Sequence, residues 1–532
     1  MKVCIIRPAV IHKEMAFSHM PGAPLGPAYV AAAIRQQGHD VQAIDAAIEG
    51  LYDVEKFETD RFTFDTYIFG LNIDNTVSRI REGTDVICFS LMYTNSWYFD
   101  KELVAATRRR FPQAVIIAGG EHVTAAPAYC FDTAPDIDYI VLGEGEATVC
   151  ELLDCIAQGT PVAEVARIAY RSADEVVVNN FSRRIKRIEN IDAIPWPAWD
   201  LFPLDKYFGY KVSYGVYRGN TLPVMASRGC PYECTFCSSP QMWGKKYNLR
   251  NVKDFVDEME HYYRHYGVVN FDFFDLTAII YKDWIIRLCD EIIARGLDIS
   301  YQIPAGTRSE AIDREVAMKL FQSGCRNITY APESGSPRVL HDIKKKVKLS
   351  NMLDSIRYSY EVGMNIKLNI IAGFPDETHG DIWRTIWFLI QSSWYGAHDM
   401  YPGVFSPYPG SALYDRLQAE GMVDLYDDGY IMEIVNSHDL WPGRTYTHRM
   451  SPFAVKTYTL IMYLTFYGSN FLFRPVRLYK LIRNLITKNH ESRAELVLAQ
   501  TFTKLWLSKK EHHSRRDPGL TGKPAALTES GA

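Results

Sequence analysis

The segment Ser227-Arg228-Gly229-Cys230-Pro231-Tyr232-Glu233-Cys234-Thr235-Phe236-Cys237 carries three cysteines at a Cys-x3-Cys-x2-Cys spacing. It follows a short apolar run, Leu222 to Ala226, which is typical of the end of a strand. Three thiolates on one tight loop can hold three irons of a 4Fe–4S cube and leave the fourth iron without a protein ligand. An iron with an open position is a site for chemistry, much as an open position distinguishes catalytic from structural zinc. The loop therefore predicts a reactive cluster held by Cys230, Cys234 and Cys237.

The alternative for this loop is a structural zinc site. Zinc ligands come in pairs a few residues apart, so a fourth Cys or His should lie nearby. No Cys or His lies between Cys237 and His261 in the sequence. The spacing favours the cluster.

The composition indicates an ordinary globular protein of several domains. The chain has 532 residues, 47% hydrophobic and 23% charged, with a formal net charge of −5. This charge gives no electrostatic argument for nucleic acid as a partner. The seven cysteines outside the loop lie mostly in apolar contexts, which favours a reducing, cytoplasmic location. The N-terminus leads directly into a strand pattern, so we expect no signal peptide.

Residues 1–157 alternate short apolar runs with helical patterns, which predicts an α/β domain with a doubly wound parallel sheet. The predicted strands are Val3–Ile6, Val41–Ile44, Val86–Ser90, Val115–Ala118 and Tyr139–Leu142. The predicted helices are Pro27–Gln36, Lys101–Arg110 and Glu146–Ala157. Such a sheet binds ligands outside the carboxyl ends of its strands.

Glycine and polar residues gather at three of these strand ends. The segments are Ser90-Leu91-Met92-Tyr93-Thr94-Asn95, Gly119-Gly120-Glu121-His122-Val123-Thr124 and Gly143-Glu144-Gly145-Glu146. Glycine permits a close approach of the backbone to a ligand, and polar side chains can hold the rim of a large one. Each segment alone is also explained as a tight turn between a strand and a helix.

Residues 158–220 are predicted to form a connector, and residues 221–420 a second α/β domain. The connector contains a hairpin, Ile168–Tyr170 against Val176–Val178, and a stiff strap across two domains, Ile194-Pro195-Trp196-Pro197-Ala198-Trp199. After the strand at Leu222–Ala226, the predicted strands are Phe271–Phe274, Ser300–Ile303, Asn327–Ala331, Lys367–Ile371 and Gly403–Ser406. The predicted helices are Val252–Tyr266, Trp284–Arg295, Asp313–Gly324, Asn351–Gly363 and Thr378–Tyr395. Six strand–helix units fit a partial barrel.

The cysteine loop and these units resemble the radical S-adenosylmethionine (SAM) superfamily, whose partial (β/α)6 barrel has its site at the carboxyl ends of the strands. The resemblance implies that the open iron chelates the amine and carboxylate of SAM. It implies SAM-binding roles for Phe236, Asp275, Arg308, Glu333, Ser334, Gly373 and Pro375. Phe236 and the Gly373-Phe374-Pro375 segment would lie near the adenine, Glu333 near the ribose or amine, and Arg308 near the carboxylate. A helix cap at Glu333-Ser334 and a plain helix entry at Pro375 are the alternatives.

The strand-end segments of residues 1–157, placed before such a loop, resemble the cobalamin-binding domain of B12-dependent radical SAM enzymes. The resemblance begins at Pro24-Leu25-Gly26-Pro27-Ala28-Tyr29. It implies that cobalamin is bound by Leu25, Ser90, Leu91, Met92, Tyr93, Thr94, Gly119, Gly120, His122, Gly143, Glu144, Gly145 and Glu146.

The sequence departs from other cobalamin domains at the lower axial ligand. Those domains supply a histidine from Asp-x-His-x-x-Gly, whereas this chain has Ala47 in that place, within Asp45-Ala46-Ala47-Ile48-Glu49-Gly50. We expect His122 to contact the edge of the cofactor and no imidazole to bind cobalt. Leu91, Met92 or Tyr93 would then face the lower side of the cobalt.

The last part of the chain is predicted to be a helical domain, 421–510, followed by a disordered tail, 511–532. Thr457 to Phe473 has no charged residue and is predicted to be a helix that caps the barrel mouth. Its three threonines and its short length argue against a membrane span. A basic amphipathic helix follows, which is either a solvated face or a contact with a membrane surface.

The resemblance implies an enzyme with a 4Fe–4S cluster, SAM and cobalamin as cofactors. Its implied reaction is methylation of an unactivated carbon through methylcobalamin and a 5′-deoxyadenosyl radical. The alternatives are an oxidative cyclase or other radical rearrangement with the same cofactors, and a cobalamin sensor without turnover. The implied partners are an electron donor of the flavodoxin or ferredoxin type and a small-molecule substrate. The apolar segment at the predicted mouth suggests that this substrate is hydrophobic and that the protein makes peripheral membrane contact.

Overall fold

The computed structural model of the chain describes residues 1–12, 21–62, 64–173, 175–179, 188–436, 444–487, 490–492, 494–495 and 498–499. The predicted disordered tail lies outside these residues. The strands of the N-terminal part are β1 (Lys2–Arg7), β2 (Val10–His12), β3 (Asp40–Asp45), β4 (Val54–Phe57), β5 (Thr66–Phe69), β6 (Val86–Ser90), β7 (Val115–Gly119), β8 (Tyr139–Val141), β9 (Ile168–Ser172) and β10 (Glu175–Val178). The helices are α1 (Leu25–Gln36), α2 (Ala46–Glu49), α3 (Ile73–Ser78), α4 (Trp97–Arg110), α5 (Glu121–Ala125), α6 (Pro127–Thr133), α7 (Glu146–Gln158) and α8 (Leu204–Gly209).

The N-terminal sheet has the strand order β10-β9-β8-β7-β6-β1-β3. Strands β3, β1, β6, β7 and β8 are parallel, and the order reverses between β1 and β6. This is the doubly wound arrangement that the sequence predicts, and its ligand crevice lies at that reversal. The predicted hairpin, β9 and β10, adds antiparallel to β8, so the sheet continues past residue 157.

A second, smaller sheet in this part was not predicted. Strands β2, β5 and β4 pair antiparallel in that order. Only three or four residues in each strand take part, which is too short a run for a clear periodic pattern.

The C-terminal part begins with β11 (Thr221–Val224), β12 (Ser227–Arg228), β13 (Asn248–Leu249), β14 (Asn270–Phe273), β15 (Ser300–Thr307), β16 (Cys325–Glu333), β17 (Asn365–Ala372) and β18 (Asp399–Val404). Its helices are α9 (Ser239–Met242), α10 (Val252–Tyr266), α11 (Lys282–Ala294), α12 (Arg314–Gln322), α13 (Pro337–Asp342), α14 (Leu349–Glu361), α15 (His379–Tyr395), α16 (Ala412–Ala419), α17 (Asp428–Asn436), α18 (Pro452–Phe473) and α19 (Val476–Thr487).

Six parallel strands form the barrel sheet, in the order β11-β14-β15-β16-β17-β18. This confirms the predicted partial barrel, whose carboxyl strand ends carry the candidate site. The last strand begins four residues earlier than Gly403, where the sequence placed it. Outside the sheet, β12 and β13 pair antiparallel and close the base of the cysteine loop.

The predicted strap contacts both domains. The backbone N–H of Ala198 donates to Ala28 of α1 at 3.0 Å, and Trp199 is completely buried. The ring centroid of Trp196 lies 5.7 Å from that of His261 on α10. The strap therefore fixes the N-terminal domain against the barrel.

Helix α18 contradicts the prediction of a cap over the barrel mouth. It packs against α15 and β18. At its start, Val455 lies beside Gly373, which follows β17, and near its end Tyr467 donates to Asp399 of β18 at 2.5 Å. The helix thus runs along the side of the barrel. The physical reason is that a six-stranded sheet is open, and its edge strand β18 needs a cover.

The inference of a hydrophobic substrate rested on that cap and loses its support. Among the described helices, none has the length and apolar character required to cross a bilayer.

Candidate functional site

The cysteine loop lies between β12 and β13, at the carboxyl end of the barrel. Cys230, Cys234 and Cys237 are free and half-buried. The N–H of Cys237 donates to the carbonyl of Cys234 at 3.1 Å, so the loop turns tightly between them. In the described part of the chain, no three His, Cys, Asp or Glu side chains converge to hold a single ion. Because each thiolate of a cube binds a different iron, this spacing suits a cluster better than one zinc ion.

A buried ion pair lies beside the loop. Lys345 Nζ contacts Glu333 Oε1 at 2.8 Å, and both side chains are largely buried. Glu333 has a φ of 65°, a left-handed conformation that is uncommon for a residue with a side chain. Burial raises the pKa of the Cys234 thiol, and the nearby Lys345 ammonium opposes this rise. The pair therefore places a carboxylate and a cation beside the cysteine loop.

Arg308 packs over the loop from the end of β15. Its guanidinium carbon lies 3.7 Å from the ring centroid of Tyr232, and it pairs with Glu310 at 3.0 Å. Its Nε is buried and has no hydrogen-bond partner among the described residues. A donor left without a partner suits a ligand carboxylate at this position.

Two of the predicted SAM-binding side chains have partners inside the protein. Asp275 accepts hydrogen bonds from Ser227 Oγ and from the N–H of Ala226, and burial raises its pKa to about 6. Ser334 Oγ lies 3.1 Å from Thr385 Oγ1 on α15. Asp275 thus braces the start of the cysteine loop, and Ser334 ties β16 to α15. These contacts do not support a direct role of either side chain in binding SAM.

The segment after β17 approaches the loop as expected. The ring centroid of Phe374 lies 5.8 Å from that of Phe236. Gly373 has a φ of 90°, and its N–H donates to Glu377 Oε2 at 2.6 Å. Burial raises the pKa of Glu377 to about 7, and its Oε1 has no partner among the described residues. Glu377 was not among the predicted site residues, although an acid four residues after the glycine is visible in the sequence. Pro375 lies in the same turn, where its carbonyl accepts from the N–H of His448.

The predicted cobalamin segments meet at the carboxyl edge of the N-terminal sheet. The N–H of Leu91 donates to the carbonyl of Gly119 at 2.7 Å. Gly120 has a φ of 122°, and a Cβ there would lie 2.5 Å from the carbonyl oxygen of Leu91. Only glycine fits such an approach. Met92 and Tyr93 are exposed, whereas Leu91 is buried, so the first two are the side chains presented to the crevice. Ser90 and Thr94 flank them, and Leu25 is buried at the start of α1.

His122 is enclosed within the N-terminal domain. Its Nδ1 lies 3.0 Å from Thr94 Oγ1, and its ring contacts Trp97 and Tyr129. Burial lowers the pKa of His122 to about 3, so the imidazole is neutral at ordinary pH. The expectation that no imidazole binds cobalt stays a prediction, as does the expected contact of His122 with the edge of the cofactor.

Glu144 and Glu146 bind an arginine of the cysteine loop. Arg228 Nη2 donates to Glu146 Oε1 at 2.6 Å, and its Nη1 lies 3.4 Å from Glu144 Oε1. All three side chains are almost completely buried. Both carboxylates contribute to this contact between domains, and their contact with cobalamin stays a prediction.

The loop between β8 and α7, which contains Glu144, has no room for a side chain at Gly143. A Cβ there would lie 3.1 Å from the carbonyl of Met242 in α9, which follows the cysteines, and closer still to the side chain of Arg167. Gly145 is similarly close to Val30 of α1. Gly143 thus permits the packing of the domain interface, and Gly145 permits the packing of α1 within the N-terminal domain.

Comparisons with known proteins agree with this geometry. Residues 16–153 match the model of the B12 binding domain, and residues 224–389 match that of the Radical SAM superfamily. The chain is 30% identical over 424 residues to an uncharacterized methyltransferase of Pyrococcus horikoshii, covering 80% of this chain and 84% of that protein. The chain belongs to the B12-binding-domain radical SAM family.

A further relative supports the family assignment, and a solved structure shares the fold. The cytidylyl-2-hydroxyethylphosphonate methyltransferase of Streptomyces wedmorensis is 30% identical, over 79% of this chain and 83% of that protein. The cobalamin-dependent SAM radical enzyme OxsB, with aqua-cobalamin and SAM bound, superposes with a TM-score of 0.65 at 15% identity. The match covers 95% of this chain and 75% of OxsB, and at that identity it concerns the fold.

A B12-binding-domain radical SAM enzyme uses a 4Fe–4S cluster, SAM and cobalamin, and the described residues fit all three. Three free thiols lie on one loop, and the Nε of Arg308 beside it has no hydrogen-bond partner among the described residues. Gly120 allows the close backbone approach at the crevice of the N-terminal sheet. The assignment of individual residues to each cofactor stays a prediction.

Proposed function

We propose that this B12-binding-domain radical SAM enzyme transfers a methyl group from SAM to an unactivated carbon of a small molecule. The observation that carries the proposal is the buried contact of Arg228 with Glu144 and Glu146. Because Arg228 is two residues before Cys230, this contact fixes the cysteine loop of the barrel on the crevice edge of the N-terminal sheet. The two curated relatives described above are both named methyltransferases.

Each part of the site has a proposed task. When bound, the cluster and SAM supply a 5′-deoxyadenosyl radical and cobalamin carries the methyl group. Cys230, Cys234 and Cys237 hold the cluster. Arg308 and the pair of Glu333 with Lys345 bind the charged groups of SAM, because they place both signs of charge beside the loop.

The residues that contact the adenine of SAM and the cobalamin are proposed from their positions in the structure. Phe236 and the backbone at Gly373 pack against the adenine, since Phe236 and Phe374 already lie together. Met92 and Tyr93 would contact bound cobalamin, because both are exposed at the end of β6.

A radical SAM enzyme needs a reductant, and a flavodoxin or ferredoxin is our proposal for it. Reduction of a cluster also suits a reducing compartment. All cysteines in the described part of the chain are free thiols, which is in keeping with a cytoplasmic location.

The proposal can be tested without knowing the substrate. The anaerobically reconstituted enzyme is supplied with cobalamin, a reductant and SAM, and the products of SAM are separated. A methyltransferase forms S-adenosylhomocysteine, and protein reconstituted without cobalamin, the matched control, forms none. Formation of 5′-deoxyadenosine alone would contradict the proposal and favour the cyclase or rearrangement. Formation of neither product would favour the cobalamin sensor.

A further inference from the structure

The outer face of α15 carries three tryptophans that the fold leaves in water. Trp383, Trp387 and Trp394 are 53%, 60% and 62% exposed. Their spacing of four and seven residues places them on one side of the helix. Buried positions such as Ile382 and Leu389 supply the opposite side, toward the barrel. The tryptophans are therefore not required by the core of the barrel.

Helix α18 continues this apolar face. Leu460, Leu464 and Leu472 are 56%, 65% and 77% exposed, whereas Met462 and Phe466 are buried against the barrel. The two helices pack along each other, and Trp394 contacts Phe473 with ring centroids 5.0 Å apart. We call the exposed residues Trp383, Trp387, Trp394, Leu460, Leu464 and Leu472 the α15–α18 face. Contiguous apolar surfaces of this kind mark sites of interaction.

A concave part of the surface adjoins the α15–α18 face. A groove of about 600 Å³ runs between α14 and α15. It is lined mainly by apolar side chains, among them Leu349, Leu353, Trp387 and Phe388, with Arg384 beside them. Arg384 lies 3.4 Å from Asp381 and is largely exposed, so its guanidinium remains accessible at this apolar wall. An apolar groove with a cation at its rim suits an acyl chain with an anionic head.

Positive charge lies directly beside the α15–α18 face. Helix α19 contains Arg477, Lys480 and Arg483 and no acidic residue, in a chain whose net charge is −5. Arg477 donates to the backbone carbonyls of Gly396 and Ala397, whereas Lys480 and Arg483 are exposed and Arg483 lies 3.6 Å from Glu491. Arg474 donates to the backbone carbonyl of Trp394 at 2.7 Å, so this cation adjoins a tryptophan of the face. Helix α19 also exposes Val476, Tyr479 and Ile486. It is thus an amphipathic basic helix whose apolar side is only partly covered.

We propose that the α15–α18 face and α19 dock the protein on the surface of an anionic lipid bilayer. Tryptophan suits the boundary between headgroups and acyl chains, because its ring is apolar and its N–H is polar. Lysine and arginine next to such a face are attracted to anionic headgroups. A second copy of the chain is a less favourable partner for the α15–α18 face, because a symmetric contact would bring the two cationic α19 helices together. The proposal does not depend on the proposed function.

The test is flotation of the full, anaerobically reconstituted chain with vesicles. One set contains equal parts of phosphatidylglycerol and phosphatidylcholine, and the other contains phosphatidylcholine alone. We expect binding to the anionic vesicles that weakens as salt is added. Lys480→Glu/Arg483→Glu should bind roughly tenfold more weakly, since each cation contributes attraction to such a surface. Trp387→Ser/Leu464→Ser should also lose binding, because it removes apolar contact from the face.

Two matched variants serve as controls. Arg109→Glu/Lys253→Glu reverses two exposed charges, on α4 and α10, and Ile293→Ser/Met318→Ser removes exposed apolar side chains from α11 and α12. Both should bind like the unchanged protein, and circular dichroism should show that all variants are folded. Failure of the unchanged protein to float, or equal binding by control and test variants, would overturn the proposal. A dimer in sedimentation that Trp387→Ser/Leu464→Ser dissociates, without vesicle binding, would assign the face to a second copy instead.

Discussion

Arg228 Nη2 donates to Glu146 Oε1 at 2.6 Å, and this buried bond joins the cysteine loop of the barrel to the cobalamin-binding domain. The guanidinium also lies over the rings of Tyr29 and Trp243, with centroid distances of 5.1 Å and 5.9 Å. Arg228 therefore has its charge and its flat surface enclosed by both domains.

Replacing Arg228 should destabilise the domain interface. In Arg228→Gln, Glu144 and Glu146 would lose their shared cation, and breaking a buried pair costs about 3–5 kcal/mol. We expect a lower thermal midpoint and weaker cobalamin binding. Arg35→Gln is the control, because its pair with Asp200 is half exposed and is worth about 0.2–1 kcal/mol. Equal midpoints for the two variants would refute an interface role for Arg228.

The two adjacent glycines after β7 should respond differently to alanine. In Gly120→Ala the new Cβ meets the carbonyl of Leu91 at 2.5 Å with a positive φ, so the crevice must distort at a cost of about 1–3 kcal/mol or more. In Gly119→Ala the nearest contact is 3.9 Å, to the carbonyl of Val141, and the fold should be unchanged. Thermal midpoints and cobalamin titrations would measure both effects. An unaltered Gly120→Ala protein would show that this loop is not tightly packed.

The free energy of unfolding should depend on pH through the titration of Glu377. Burial raises its folded pKa to about 7, above the usual 4.5 of a glutamate. The folded state then holds the proton more tightly, so this contribution is complete below about pH 4.5 and is lost as the pH rises through about 7. The loss is on the order of 3 kcal/mol. Glu377→Gln keeps an acceptor for the Gly373 N–H and should remove this contribution to the pH dependence of the free energy of unfolding.

The measurement for Glu377 is the thermal midpoint of both proteins at pH values near 5 and near 8. The difference between them isolates Glu377 from other buried acids, such as Asp272 and Asp275, whose pKa values are also raised to about 6. Parallel pH profiles would mean that Glu377 titrates normally.

Cobalt in the holoprotein should have no nitrogen ligand from the protein. Ala47 stands where a histidine would be expected, and His122 is held by Thr94 and Trp97 inside the domain. Electron paramagnetic resonance of the cobalt(II) form should therefore show no nitrogen superhyperfine splitting. Splitting that disappears in His122→Ala would mean that the histidine turns out to the cofactor.

The fold was predictable because its signals are local. The cysteine spacing lies within eight residues, and each barrel strand and helix has its own periodic pattern. The predicted limits of α10, Val252–Tyr266, agree with the structure because Asn251 caps its start and Gly267 ends it in a left-handed conformation.

The contacts between distant segments were not predictable in the same way. Glu146 and Arg228 are 82 residues apart, so no periodic pattern links them, and the sequence predicted no contact between them. The position of α18 depends on the open edge of β18, which the composition of the helix does not reveal. Buried partners of Asp275 and Ser334 likewise became visible only in three dimensions.

The most direct test of the account is the cleavage of SAM by the cysteine-loop cluster. The anaerobic protein should contain about four irons per chain, as expected for one 4Fe–4S cluster. When reduced, it should convert SAM to 5′-deoxyadenosine. The triple variant Cys230→Ala/Cys234→Ala/Cys237→Ala should lose the iron and form no 5′-deoxyadenosine. Cys289→Ala, a buried cysteine of α11, should keep both. Iron retained by the triple variant, or no 5′-deoxyadenosine from the iron-loaded protein, would contradict the account.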